Sequence, residues 1–206
     1  MTWEKGGAVL LGVVLTLLVT LLKEAVSALY KRRAERTLVS VQLVLMLDEY
    51  ASHCAAVAGD DGTWRGQTDK EGNLTIQTNT PDLDYSTIKG EWKYLWPDLV
   101  YQVHDLVLLQ KFSEKRIDFD FDYCDPPDRD EAFTTRQYEY SRLGLMAYSL
   151  ANAIRQRARL PERIWNQGNP IDYLKSTIKR IDEEREAKSK CRGNRPTVIG
   201  NTKGEK

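Results

Sequence analysis

Residues 6–22, GGAVLLGVVLTLLVTLL, carry no charged side chain over seventeen consecutive positions. At about 1.5 Å rise per residue, and with a weakly polar flank reaching Tyr30, a helix over this stretch spans a hydrocarbon layer of roughly 30 Å. The spacing therefore predicts a transmembrane helix over about residues 6–28, within an anchor of residues 1–30.

A cleaved signal peptide competes with this reading, since Val26-Ser27-Ala28 offers a small-residue cleavage site. The apolar run is longer than a secretory h-region, and the n-region balances Lys5 with Glu4. Lys31, Arg32, Arg33 and Arg36 follow immediately, as a lipid-proximal basic flank does on the cytoplasmic side. Trp3 and Tyr30 stand where interfacial aromatics are expected. These features favour a retained single pass, with the N-terminus outside and the C-terminal domain cytoplasmic.

Within the run, Ala8, Gly12, Thr16 and Thr20 recur every fourth residue. Small residues in such a stripe let two helix backbones approach closely in lipid, so the stripe is a candidate for membrane-helix packing and homo-oligomer formation.

The remaining length suits one domain, residues 31–187, followed by a charged and then Gly- and Asn-containing tail, residues 188–206, expected to be disordered. The fold class expected is mainly α: a single N-terminal transmembrane helix followed by a helical bundle with a small β-hairpin insertion. Residues 36–58 lack Gly and Pro, and their apolar Leu38, Val41 and Leu45, beside Val44 and Leu47, recur at helical spacing. Gly59 to Gly62 end that helix. Residues 63–78 are expected to form the hairpin around an Asp69–Gly72 turn, with Leu74 and Ile76 alternating with polar neighbours.

Pro97 opens a helix to about Lys115, with Leu99, Val100, Val103, Leu106, Val107 and Phe112 on its apolar face. Asp130 opens the next, to about Arg159, with Leu143, Met146, Leu150, Ala153 and Ile154 facing inward. Asn169 caps the last, with Pro170 at its first position and Ile171, Leu174, Ile178 and Ile181 in 3-4-3 spacing.

Chemistry is harder to read. Ile117-Asp118-Phe119-Asp120-Phe121-Asp122-Tyr123 alternates strictly, which fits a half-buried strand. Its carboxylates match the opening of a calcium loop, but Tyr123 replaces the required Gly and Arg129 the bidentate Glu. Glu49 and His53 share a helix face, and His104 lies on the following helix. Together with Cys54 they are the candidate metal ligands, and a membrane-tethered metal-dependent hydrolase using these acids and histidines is the alternative function. No Glu-x-x-His pair, no Gly-x-Ser-x-Gly and no phosphate-binding Gly loop accompanies them, so no catalytic residue and no cofactor is assigned.

Three isolated cysteines, Cys54, Cys124 and Cys191, give no disulfide framework and suit a reducing compartment. Asp60, Asp61, Asp69, Glu71, Asp82 and Asp84 read as a solvated acidic surface. Zero net charge disfavours nucleic-acid binding. Arg155, Arg157, Arg159 and Arg163 complement a helix C-terminus or meet anionic lipid. Trp64, Trp92, Trp96 and Trp165 fall in or near loops, where they cover the bundle ends or anchor a partner. The function this pattern suggests is a membrane-anchored protein-interaction domain, its partners being membrane lipid and another protein.

Overall fold

A computed structural model describes residues 3–124, 129–165 and 168–193. Within them the chain forms four helices: α1 (Trp3–Ala58), α2 (Pro97–Tyr123), α3 (Asp130–Ala158) and α4 (Pro170–Gly193). The remaining residues of the tail expected to be disordered, 194–206, lie outside the described residues.

α1 is one unbroken helix of 56 residues, about 84 Å long. No Gly or Pro occurs between Val13 and Ala58, so nothing in the sequence interrupts its backbone ladder. Its first half is long and apolar enough to cross a membrane, and the residues from Val13 to Ala34 are all exposed. Its second half is the first helix of the bundle.

α3 sits at the centre and packs on the three others. Asp48 and Asp60 of the α1 end meet Arg155 and Arg136 of α3 respectively. Asp98 and Ser113 of α2 meet Arg157 and Glu139. On α4, Leu174 lies against Gly144 and Arg180 donates to Gln137, so α1, α2 and α4 all run antiparallel to α3. The core comprises Leu43, Leu47, Ala51 and Cys54 of α1, Leu99, Val103 and Leu106 of α2, Tyr140, Leu143, Leu150 and Ile154 of α3, and Ile171 and Leu174 of α4. Gly144 of α3 makes this packing close: a Cβ there would lie 2.8 Å from both Cys54 Cβ and Leu174 Cδ1.

The helix ends follow local chemistry. Pro97 and Pro170 open α2 and α4, where a missing N–H costs nothing. The Asn169 side chain accepts a hydrogen bond from the Ile171 amide at 3.1 Å. Arg159 closes α3 in the left-handed conformation, φ 56°.

Four expectations are corrected. The hairpin over residues 63–78 is absent: no strand occurs among the described residues, and a single bridge pairs Trp64 with Gln67. The amides that would have paired in a second strand are taken by a carboxylate, since Asp60 accepts from Gln77 N and Thr78 N at 2.9 Å each. The loop is thus tied to the bundle by side-chain acceptors instead of by a ladder.

The alternating segment Ile117–Tyr123 is helical, the last two turns of α2. Ile117 is buried and Phe121 is half-buried, packing edge-on against Phe133, whereas Phe119 and Tyr123 stack on each other in solvent. Alternate apolar residues are also two i, i+4 pairs on opposite sides of a helix. Those two pairs satisfy both faces here.

In α1 the helix is as expected but its face is not. Leu38, Val41 and Leu45 are exposed, and the buried side is Val39, Leu43, Leu47 and Ala51. Phe112 and Met146, expected in the core, are exposed as well.

Candidate docking surface

α2 carries two apolar faces. The inner one, Leu99, Val103, Leu106, Gln110, Ser113 and Ile117, steps by four and three residues and is buried against the bundle. The outer one consists of Tyr101, Leu108, Phe112, Phe119 and Tyr123. At 100° per residue these five fall within about 60° of arc, and they extend over roughly 33 Å. All five are between 50% and 80% exposed. Single exposed apolar side chains are ordinary on a protein surface, whereas these five, four of them aromatic, share one side of one helix.

Charges flank this row. Lys111 and Lys115 stand beside its middle and Asp118 and Asp122 near its end, while Asp105, eighteen residues before Tyr123, falls within the row between Tyr101 and Leu108. Beside Phe112 a groove of about 180 Å³ opens between α2 and α3, lined by Leu109, Arg116, Arg142, Leu143 and Met146. At its floor the Glu139 carboxylate is buried and accepts from Ser113 Oγ at 3.0 Å, Arg116 at 3.1 Å and Arg142 at 3.5 Å. Three donors hold that carboxylate in place at the bottom of a groove whose sides mix Leu109, Leu143 and Met146 with the two arginines.

The sequence candidates for metal do not converge. Glu49 and His53 are exposed on α1, and His104 is exposed on α2, tilted against Trp92 with ring centroids 5.9 Å apart. Cys54 is buried in the core, where desolvation pushes its thiol pKa well up. Among the described residues no three His, Cys, Asp or Glu side chains come together as a metal site. Asp118 and Asp122 share a helix side from which Asp120 is turned away, so the carboxylates of that segment do not converge either.

Of the arginine cluster only Arg155 is buried; Arg157 and Arg163 reach acidic partners from the surface, and Arg159 is exposed. Arg155 pairs with the buried Asp48, and Arg157 pairs with Asp98 at 2.6 Å. Arg163 lies 3.9 Å from Asp48 and over the Trp165 ring. Burial raises the Asp48 pKa, while Arg155 and Arg163 act to lower it. Arg36 is likewise drawn into the body, donating to the Tyr94 carbonyl at 2.7 Å and lying over the Trp96 ring. Lys31, Arg32 and Arg33 are exposed. Asp60, counted in the sequence as part of an acidic surface, is buried.

Of the tryptophans, Trp92 packs on Tyr85 and His104. Trp96 lies between Arg36 and Arg157 at the end of the bundle nearest the apolar half of α1. Trp64 is exposed. Of Ala8, Gly12, Thr16 and Thr20, all lie within α1, and the Thr20 hydroxyl donates to the Thr16 carbonyl at 2.9 Å.

The α2 outer face escaped the sequence reading because Phe112 satisfies both faces' spacing to within one residue. A usable signal was present: Tyr101 and Phe119 are eighteen residues apart, five full turns, with Leu108 and Phe112 between them on the same line. No family model, no curated protein and no solved structure matches this chain.

Proposed function

We propose that this protein is a single-pass membrane-anchored adaptor, whose helical body stands on the cytoplasmic side and binds a protein partner through the outer face of α2. The observation that carries the reading is the row Tyr101, Leu108, Phe112, Phe119 and Tyr123, exposed along a helix whose other side is fully committed to the core. Aromatic side chains supply large contact area at low entropic cost, and they dominate binding energy where they seat in pockets. The apolar N-terminal half of α1 and the exposed Lys31, Arg32 and Arg33 support the anchoring and the orientation.

The test places a photo-crosslinking residue at Phe112 or Phe119 in the full chain, expressed in its own membranes. A discrete adduct at both positions, missing from a control on α4 at Glu183 and abolished by Leu108→Glu, is the expected result. Equal, diffuse labelling at all three positions refutes a docking role for α2. Labelling of body cysteines by an impermeant reagent in intact cells refutes the orientation.

A further inference from the structure

α1 crosses from its apolar half into the bundle without a break, so residues of both halves keep a fixed angular relation along one rod. Eighteen residues make five full turns. That offset carries Gly12 onto Tyr30, Thr16 onto Ala34 and Thr20 onto Leu38. The stripe of small residues and the exposed strip Tyr30, Ala34, Leu38, Val41 and Leu45 therefore lie on one side of the helix.

The body occupies the opposite side. Leu43 and Leu47, two positions on from Val41 and Leu45 and so about 200° round the helix, are buried in the core. The strip itself is between 36% and 74% exposed at its large residues, and a shallow groove of about 570 Å³ runs along it, lined by Tyr30, Arg33, Ala34, Thr37, Leu38 and Val41.

We infer that this side of α1 is the axis of a parallel homodimer, in which a second copy of the chain covers it from the bilayer to Leu45. The inference rests on the anchoring proposed above. Two copies inserted the same way are parallel, so equivalent residues meet across the axis. Each half of the face suits its own surroundings: small residues permit close backbone approach in lipid, while branched and aliphatic residues at 4-3-4 spacing seal a helix pair in water. Lys23, eighteen residues before Val41, lies on the same face at the junction, so two copies bring their ammonium groups together there, a cost the long side chains relieve by reaching outward to the headgroup phosphates.

The area fits as well. Covering every exposed side chain from Tyr30 to Leu45 would bury at most on the order of 500 Å² per copy, about 1,000 Å² for a pair, the lower limit for a specific interface. The aqueous part alone is thus marginal, and the stripe within the apolar half completes it. With the axis on this side, the α2 outer face of each copy remains free for its own partner.

Disulfide crosslinking in native membranes tests the dimer, with Cys124 and Cys191 replaced by Ser and the buried Cys54 left in place. Single cysteines at Thr20, Leu38 and Leu45 are expected to give dimers under mild oxidation, several-fold more than cysteines at Arg32, on the opposite side of α1, or at Tyr101. Gly12→Leu is expected to reduce the Leu38→Cys dimer several-fold, because both halves form one contact. Dimers at Thr20→Cys without dimers at Leu38→Cys would overturn the continuous face. Dimers at Tyr101→Cys instead, or adducts of Leu38→Cys with a chain of different mass, would overturn it too. Alkaline carbonate extraction of the same membranes separates the two proposals: a chain retained in the pellet but never crosslinked refutes the dimer alone, and one released into the supernatant refutes the anchoring and the dimer together.

Discussion

Arg136 and Asp60, seventy-six residues apart in sequence, form an ion pair at 2.9 Å with both side chains only 1% exposed. Asp60 also accepts from the amides of Gly62, Gln77 and Thr78, and Arg136 donates to the Thr78 carbonyl. One buried pair thereby fastens the loop after α1 onto the central helix. Removing one partner leaves the other charge buried and uncompensated, so Arg136→Met is expected to destabilise the protein by about 3–5 kcal/mol. Denaturant unfolding in detergent micelles checks this; a loss under about 1 kcal/mol would show that the pair is not the clasp described here.

At Gly144 the helix α3 lies close to both α1 and α4. In Gly144→Ala the added methyl meets Cys54 Cβ and Leu174 Cδ1, both 2.8 Å from the ideal position; Cys54 Cβ is fixed to the α1 backbone, and the Leu174 methyl is held in the packed core. Overpacking of this kind costs about 1–3 kcal/mol, against a helix-propensity gain of about 1 kcal/mol. Net destabilisation is the expected sign. A variant melting at or above the parent temperature contradicts the close approach.

The two sides of α1 are distinguishable by truncation. Leu47→Ala removes a fully buried side chain and is expected to cost about 2–5 kcal/mol, whereas Leu45→Ala on the exposed side leaves the unfolding free energy of the monomeric chain within about 0.5 kcal/mol. Equal losses at the two positions would mean that the body packs on both sides of the helix.

Acid is expected to loosen the segment between α1 and α2. Asp61 is held below its usual 3.8 by the Thr63 hydroxyl and amide, Asp69 by the amides of Asn73 and Glu71, and Asp84 by the hydroxyl and amide of Ser86. A carboxyl whose folded pKa is depressed stabilises the fold fully above the unfolded value and loses that contribution as pH falls through the folded one. The amide proton shifts of Thr63, Asn73 and Ser86 should therefore titrate with midpoints below 3.8. Midpoints at or above 3.8 would mean that these turns do not persist in solution.

Helix positions and their punctuation were legible in the residues, since Pro97, Asn169-Pro170 and the 3-4 spacing of Leu174, Ile178 and Ile181 depend on local chemistry alone. Faces were not. Leu38, Val41 and Leu45 have the spacing of a core stripe, and only the position of α3 shows that the core lies on the other side, along Leu43, Leu47 and Cys54. Periodicity identifies a sticky side of a helix without saying whether the same chain or another covers it. The hairpin was misread for a related reason: the partner of the Gln77 and Thr78 amides is a carboxylate seventeen residues back, which no alternation pattern encodes. Likewise the alternation from Ile117 to Tyr123 is compatible with both periods, and its continuity with the preceding helix decides between them.

Because α1 contains no joint between its apolar half and the bundle, the body cannot pivot independently of the segment that carries it. With about 45 Å of helix standing beyond the proposed bilayer boundary, a 10° change in tilt would sweep the far end of the body sideways by roughly 8 Å. Bilayer thickness, through its control of tilt, would then set how far and at what angle the α2 aromatics are held out, making the protein a stiff lever whose reach is tuned by the lipid around its base.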